Sequence, residues 1–248
     1  SLFSQAGHRK DIAKNTYGTG IFLLSGTGEK PVFSSSFLTS VAWQRGSETS
    51  YAVEGQAFMA GAALQWLRDN LKIIPDTPST EKIAGALSDN EGVYFVPAFQ
   101  GLASPYWDSS AKGMITGLTR KTSDSTIIRA CLESLAYQTK DIIESMEKEF
   151  GSRHRKLKVD GGACANDFLM QFQADILGIE VERPVNIQTT ALGAAGMAGC
   201  ACGFWQDSED FVKLNKTEKV FYPRMSAEDA AVLFNGYKKA VAACRSLS

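Results

Sequence analysis

The sequence has few of the residues on which several common site chemistries depend. Its 248 residues include two histidines, His8 and His154, and five cysteines without a Cys-x-x-Cys pair. This number of histidines disfavours Ser-His-Asp or Cys-His catalysis and histidine-rich metal sites. We expect both histidines at the surface. An odd number of cysteines, in a chain too long to need disulfide staples, predicts free thiols in a reducing cytoplasm.

The chain also lacks an excess of charge of either sign. It has 26 Lys and Arg against 27 Asp and Glu, a formal net charge of −1. A dedicated nucleic-acid binder would show a clustered basic excess, so that class is disfavoured. The one basic cluster, residues 153–158, predicts a solvated loop before a strand. With 44% hydrophobic and 21% charged residues the composition is globular, which excludes disorder of the whole chain.

A long uncharged run at 187–206 is too short for a membrane span. Its strongly apolar part has about 15 residues, against the roughly 20 that a spanning helix needs, and it consists mostly of Ala and Gly. Because small side chains let backbones approach, we predict a helix packed against a sheet. No secretory leader is recognisable, and we expect a cytoplasmic protein with no membrane partner and no nucleic-acid partner.

Runs of β-branched or aromatic residues alternate with long helical periods, which is typical of an α/β fold. The segment 15–24 predicts two strands joined by Gly18-Thr19-Gly20, an antiparallel hairpin at the start. Further strands are predicted around 50–53, 93–96, 157–160 and 179–183. Helices are predicted over about 57–72, 125–150, 168–177 and 227–244, with the uncharged run as a further helix.

The helix predicted over about 57–72 has two residues outside its apolar face. Gly61 and Gln65 lie one turn apart on a different flank. A glycine inside a helix costs about 1 kcal/mol relative to alanine, so it usually marks a close approach by another group. That group is either another backbone or a ligand, and the sequence leaves both open.

Two glycine turns point to a nucleotide site. Gly18-Thr19-Gly20 closes the hairpin, and Asp160-Gly161-Gly162 joins a strand to a helix much further along the chain. Glycines remove side chains where a ligand approaches, and amides at turns and helix starts donate to anions. Neither turn has the spacing of a familiar nucleotide motif. The pair is consistent with one turn holding the phosphates and the other the base.

Motifs along nearly the whole chain occur in the order of a known family. They are NTYGTG at 15–20, YAVEG at 51–55, FMAGA at 58–62, QWLR at 65–68, PAF at 97–99, GL at 101–102, PYWD at 105–108, GLTR at 117–120, LESLAYQT at 132–139, VDGGA at 159–163, NDFLMQFQ at 166–173 and TALGAA at 190–195. Together they resemble the C-terminal half of the FGGY carbohydrate kinases, above all the members that phosphorylate glycerol. Thr126 departs from a family signature that usually has His, Asp, Glu, Asn or Gln there, and its expected place at a helix start makes the change tolerable.

The resemblance implies an α/β actin-like ATPase domain (ribonuclease H-like), a mixed sheet with an antiparallel hairpin start and flanking helices. Residues 1–248 would be the C-terminal nucleotide-binding domain, with the N-terminal domain absent from this chain. The implied ATP-binding residues are Gly18, Thr19 and Gly20 at the terminal phosphates, Gly61 and Gln65 as further contacts, and Gly162, Ala163 and Asn166 at the adenosine. Phe22 would contact the carbon face of glycerol.

No catalytic residue and no metal ligand is expected in this chain, because the family's catalytic aspartate would fall just before Ser1. Mg²⁺ is expected from the family, without identifiable ligands here. The implied activity is ATP-dependent phosphorylation of glycerol to glycerol 3-phosphate, this chain being the ATP/ADP-binding half and the other half binding most of the glycerol.

Phosphoryl transfer needs an oriented hydroxyl, a base, Mg²⁺ and electrostatic clamping together, so this chain alone is predicted to be inactive. The full-length enzyme is expected to be a homo-oligomer. Two alternatives stay open: an FGGY kinase for another polyol or ketose, and a noncatalytic actin-like nucleotide-binding module.

Overall fold

A computed structural model describes residues 1–5, 11–206, 208–212 and 215–247, so His8 lies outside the described residues. The strands are β1 Ile12–Tyr17, β2 Ile21–Gly28, β3 Leu38–Arg45, β4 Glu48–Ala57, β5 Tyr94–Val96, β6 Met114–Thr116, β7 Lys156–Asp160, β8 Glu180–Pro184 and β9 Thr217–Phe221. The helices are α1 Gly61–Asp69, α2 Ser79–Gly85, α3 Asp124–Phe150, α4 Asp167–Leu177, α5 Thr189–Ala201, α6 Ser208–Val212 and α7 Ala227–Ser246. Two short 3-10 helices span Phe3–Gln5 and Gly162–Ala165.

A seven-stranded mixed sheet in the order β3-β4-β2-β1-β7-β8-β9 forms the centre of the fold. β1 and β2 are antiparallel and joined by the predicted hairpin turn, whereas β1 and β7 are parallel. In that parallel pair Thr16 lies opposite Asp160. The two glycine turns leave the sheet immediately after these residues, so they start side by side at one edge. The predicted α/β class with an antiparallel start is confirmed.

The long helix α3 is the centre of the core on one face of the sheet. It packs against α2, α4 and β5, and a Cβ added at Gly55 of β4 would collide with Ile142 of α3. Glycine there lets the helix approach the strand closely. The helix begins at a capping box in which Ser123 and Thr126 bond each other's backbone N–H groups, which explains why Thr126 is compatible with this position.

Some predicted elements differ from those observed. The helix expected from about residue 57 begins only at Gly61, because Ala57 is still paired with Ile21 of β2. Strands β3, β6 and β9 and helices α2 and α6 were not predicted. No helix among the described residues is long and apolar enough to cross a membrane.

Two predicted environments are wrong. The glycines of α5 do not face a strand: added Cβ atoms at Gly196 and Gly199 would collide with the rings of Phe211 and Trp205, so the small residues make room for aromatic rings. His154, expected at the surface, is 2% exposed. Its ring hydrogen-bonds Ser25 Oγ at 2.9 Å and Glu147 Oε1 at 3.1 Å, and these partners make its burial possible.

Candidate functional site

A cavity of about 350 Å³ opens where four segments of the chain meet. They are the β1–β2 hairpin tip, one face of α1, the start of α2, and the turn between β7 and α4. Its lining residues are Tyr17, Gly18, Thr19, Gly61, Leu64, Gln65, Arg68, Thr77, Pro78, Glu81, Gly162, Ala163, Ala165 and Asn166. The volume lies in the range of small-molecule binding sites in proteins.

The hairpin tip is joined to the start of α1 by backbone hydrogen bonds. The N–H groups of Ala60 and Ala62 donate to Thr19 O at 2.8 and 3.2 Å, and Gly61 N–H donates to Gly18 O at 3.0 Å. Ala60 has no side chain able to cap the helix, so these carbonyls satisfy N–H groups that a helix start leaves open. A Cβ at Gly61 would lie 2.7 Å from Gly18 O. A backbone, the first of the two alternatives, therefore approaches this glycine; Gly61 also lines the cavity, so its contact with a ligand stays a prediction.

The second glycine turn has one glycine in close contact and one facing open space. Gly161 has φ +85°, and a Cβ there would lie 2.5 Å from Tyr17 O. This contact packs the turn against the end of β1. At Gly162, by contrast, a Cβ would meet no atom within 4 Å. Because Gly162 lines the cavity, the missing side chain leaves room there for a ligand.

The wall between α2 and α4 is held by two side-chain contacts. Asn166 accepts from Leu169 N–H at 2.9 Å as the N-cap of α4, and its Nδ2 donates to Thr80 Oγ1 at 3.2 Å. Asp167 N–H donates to Glu81 Oε2 at 2.8 Å. Asn166 thus has a structural role in addition to any contact with a ligand.

A buried ion pair lies under the two glycine turns. Lys14 Nζ is 3.0 Å from Asp160 Oδ1, and both side chains are 1% exposed. Burial lowers the pKa of Lys14, an effect that Asp160 partly offsets. Thr189 Oγ1 donates to the other carboxylate oxygen. The pair connects the middle of β1 with the last residue of β7 and so helps to hold together the two strands that lead into the glycine turns.

Thiolate chemistry finds no support in the turn between β7 and α4. Cys164 lies in the turn, and burial is the main cause that raises its pKa to about 12, so the thiol stays protonated at neutral pH. Among the described residues no group of three or more His, Cys, Asp or Glu side chains could hold a metal ion.

The structure brings most of the predicted site residues together. Gly18, Thr19, Gly61, Gln65, Gly162, Ala163 and Asn166 all line the cavity, whereas Gly20 does not. A Cβ at Gly20 would lie 2.5 Å from Ala57 O, so that glycine serves the contact between the hairpin and β4. Phe22 lies outside the cavity, 40% exposed, in a cross-strand row with Thr16 and Gln56.

Sequence reasoning missed half of the lining. Tyr17, Leu64, Arg68, Thr77, Pro78, Glu81 and Ala165 complete it. Leu64 and Arg68 could have been predicted from the sequence, because they follow Gly61 by three and seven residues and thus lie on the same face of the helix. The sequence has no comparable indication for the segment 77–81, since α2 was not predicted.

Comparison with known proteins identifies the family. Residues 13–202 match the family described as "FGGY family of carbohydrate kinases, C-terminal domain". The chain belongs to the FGGY family of carbohydrate kinases. A glycerol kinase of Oceanobacillus iheyensis is 52% identical over 247 residues, covering 99% of this chain and 49% of that protein. A glycerol kinase of Thermoanaerobacter pseudethanolicus is 53% identical over 242 residues, covering 97% and 49%.

Solved structures confirm the fold of this FGGY chain. Plasmodium falciparum glycerol kinase, solved with ADP, superposes with a TM-score of 0.90 at 35% identity, over 98% of this chain and 49% of that one. A ligand-bound xylulose kinase of Lactobacillus acidophilus, 22% identical, shares the fold with a TM-score of 0.83 over 98% and 49%. The actin-like expectation is confirmed. The chain spans about half the length of the curated relatives that it matches.

Proposed function

We propose that this chain is the ATP/ADP-binding half of a kinase that phosphorylates glycerol to glycerol 3-phosphate. The observation that carries the proposal is the cavity at the ends of β1 and β7, where two glycine turns from distant parts of the chain meet. Support comes from the glycerol kinases that are 52–53% identical to it and from the Plasmodium falciparum glycerol kinase, which was solved with ADP.

The lining suits a nucleotide in one orientation. The hairpin tip, Gly18 and Thr19, offers small residues and a hydroxyl to the phosphates, without a carboxylate of its own. The turn with Gly162 and Ala163 offers space and an apolar surface to the adenosine, and Gln65 of α1 lines the same cavity. A neutral donor such as the Thr19 hydroxyl suits a phosphate because no buried cation has to be desolvated.

Phe22 would contact the acceptor. It follows the hairpin on β2, on the face of the sheet away from α3, and its exposed ring is suited to the carbon side of a polyol. In the proposal the other half of the enzyme holds the hydroxyl groups of glycerol and the base. Mg²⁺ would be needed to neutralise phosphate charge, and the sequence of this chain does not identify its protein ligands.

Two related functions compete with glycerol phosphorylation. Xylulose and gluconate kinases share the fold at 22% identity, so the architecture alone does not select the acceptor. The higher identity to glycerol kinases favours glycerol. The second alternative is a noncatalytic nucleotide-binding module. Such a module would bind ADP, but adding an N-terminal kinase half would not produce phosphoryl transfer. We further propose a cytoplasmic location, where free thiols stay reduced, and a homo-oligomeric full-length enzyme.

Calorimetric titration of the chain with ADP, followed by an activity assay with glycerol, tests the proposal. Gln65→Ala removes an exposed polar side chain of the cavity, and Gln100→Ala removes one from a distant exposed loop. Loss of one neutral hydrogen bond predicts roughly two- to tenfold weaker ADP binding for Gln65→Ala and no change for Gln100→Ala. A folded chain that does not bind ADP contradicts the proposal. Glycerol phosphorylation by the chain alone, well above a contaminant control, contradicts its predicted inactivity.

A further inference from the structure

Among the described residues one carboxylate lines the cavity, that of Glu81 in the first turn of α2. The side chain crosses from α2 to the start of α4, where Oε2 accepts from Asp167 N–H at 2.8 Å. This hydrogen bond holds the carboxylate at the wall beside Asn166, which also lines the cavity. Glu81 is partly buried, so its position is set by the packing of two helices rather than by solvent.

Most of the acceptor capacity of Glu81 remains available. A carboxylate can accept about four hydrogen bonds, and within the described part of the chain its carboxylate accepts the one from Asp167 N–H. The basic side chains near this helix start, Arg183 and Lys219, lie 2.8 and 2.5 Å from the Asp167 carboxylate. They therefore neutralise Asp167. Arg68, which also lines the cavity, pairs with Asp69 at 2.7 Å, so Glu81 presents a negatively charged acceptor to the cavity.

A carboxylate in this place restricts which part of a nucleotide can lie beside it. Phosphates are repelled, which agrees with their proposed place at the hairpin tip. On its Watson–Crick edge adenine offers a donor next to an acceptor, so the base would bring a ring nitrogen close to the carboxylate. The ribose offers two adjacent hydroxyl donors. The apolar lining residues Leu64, Pro78 and Ala165 suit the base better than a charge does.

We propose that Glu81 accepts hydrogen bonds from the ribose hydroxyls of the bound nucleotide and thereby selects ribonucleotides over deoxyribonucleotides. The inference rests on the proposed nucleotide function of this cavity. It assigns Glu81 two roles: one carboxylate oxygen caps α4, and the carboxylate also binds the sugar. Sites built to bind a hydroxyl discriminate strongly against ligands that lack it, because the buried polar group is then left unpaired.

The test compares ADP, 2′-deoxy-ADP, 3′-deoxy-ADP and IDP by calorimetric titration of three proteins. These are the parent chain, Glu81→Gln, and Glu149→Gln as a control that removes the same charge from an exposed position on α3. Glutamine keeps a carbonyl oxygen for Asp167 N–H. We expect the parent to bind ADP roughly tenfold more tightly than at least one deoxy analogue, the effect of one charge-assisted hydrogen bond. Glu81→Gln should reduce that ratio to about twofold or less, and Glu149→Gln should keep it.

The comparison is a ratio within one protein, so a general loss of stability does not imitate the effect. If Glu81→Gln does not fold, Glu81→Asp, which withdraws the carboxylate by one methylene, should also reduce the ratio. If Glu81→Gln keeps the parent's preference for ADP over the deoxy analogues, or if the parent has no such preference, the inference is overturned. The proposed function stands in either case as long as the parent binds ADP. A changed ADP-to-IDP ratio with an unchanged deoxy ratio would assign Glu81 to the base and overturn it as well. A folded parent that binds no ADP overturns the proposed function and this inference together.

Discussion

Replacing Gly162 by alanine should separate ligand binding from folding. Gly162 begins the 3-10 helix after β7 and is not among the glycines with positive φ. An added methyl group would meet no protein atom within 4 Å. Where alanine fits the native backbone, a Gly→Ala change stabilises a protein by about 0.4–1 kcal/mol, because the unfolded chain loses freedom. We therefore expect the free energy of unfolding of Gly162→Ala to be equal to that of the parent or slightly higher.

The same methyl group would occupy space that the proposed nucleotide fills. Overpacking by one carbon costs about 1–3 kcal/mol, which corresponds to roughly 5- to 150-fold weaker binding. Calorimetric titration with ADP measures the dissociation constant, and urea unfolding of the same samples measures stability. Binding as tight as in the parent would refute the placement of the nucleotide against Gly162.

Gly61→Ala is the matched contrast, because it adds the same methyl group where there is no room. Its Cβ would lie 2.7 Å from Gly18 O, a backbone atom, so the hairpin or α1 has to move. Gly61 is the first residue of α1, so alanine gains less there than the about 1 kcal/mol of a helix interior, and it loses about 1–3 kcal/mol by overpacking. We expect a net loss of stability of up to about 3 kcal/mol. A Gly61→Ala protein more stable than Gly162→Ala would contradict these roles of the two glycines.

Three further predictions concern the support of the cavity and the buried histidine. Asn166→Ala removes the N-cap of α4 and should cost about 1 kcal/mol in urea unfolding, whereas Asn166→Asp keeps the acceptor and should recover most of it; equal stability of all three proteins would exclude the capping role. Lys14→Met leaves Asp160 buried without its cation and should cost about 3–5 kcal/mol in thermal or urea unfolding; a loss under about 1 kcal/mol would mean that Thr189 alone satisfies the carboxylate. Burial lowers the pKa of His154 in the folded chain from its ordinary 6.5, so on acidification the unfolded chain takes up a proton on this histidine before the folded chain does. The buried neutral imidazole should therefore contribute to stability above pH 6.5, and this contribution should be lost as the pH falls through the lower pKa of the folded chain. In urea unfolding at a series of pH values, His154→Gln should have a flatter dependence of stability on pH in this range. An unchanged slope would show that His154 does not cause it.

Local sequence signals predicted the elements that carry the cavity. The Gly18-Thr19-Gly20 turn between two β-rich segments predicted the hairpin. The helix predicted over about 168–177 ends where it was predicted to end, at Gly178, which takes the αL conformation. These features depend on the conformations open to a few neighbouring residues. The resemblance to the FGGY kinases, carried by motifs along the whole chain, likewise needed no coordinates, and the comparisons confirm it.

Long-range contacts account for what the sequence did not reveal. Helical spacing around Ala57 predicted an early start of α1, but hydrogen bonding to β2 keeps that residue in β4. The burial of His154 was not predicted for the same reason. Its basic neighbours along the chain do not indicate that Ser25 of β2 forms a hydrogen bond with its ring.

The sequence by itself determined the class of fold, the two glycine turns and the family of this protein. Only the tertiary structure decided that β1 and β7 are parallel neighbours, with Thr16 opposite Asp160, so that both turns open on one cavity. It also decided that the start of α2 closes the wall and brings Glu81 to it. The physical reason is that glycine turns and helix caps are properties of adjacent residues, whereas strand register and helix docking depend on packing between segments far apart in the chain.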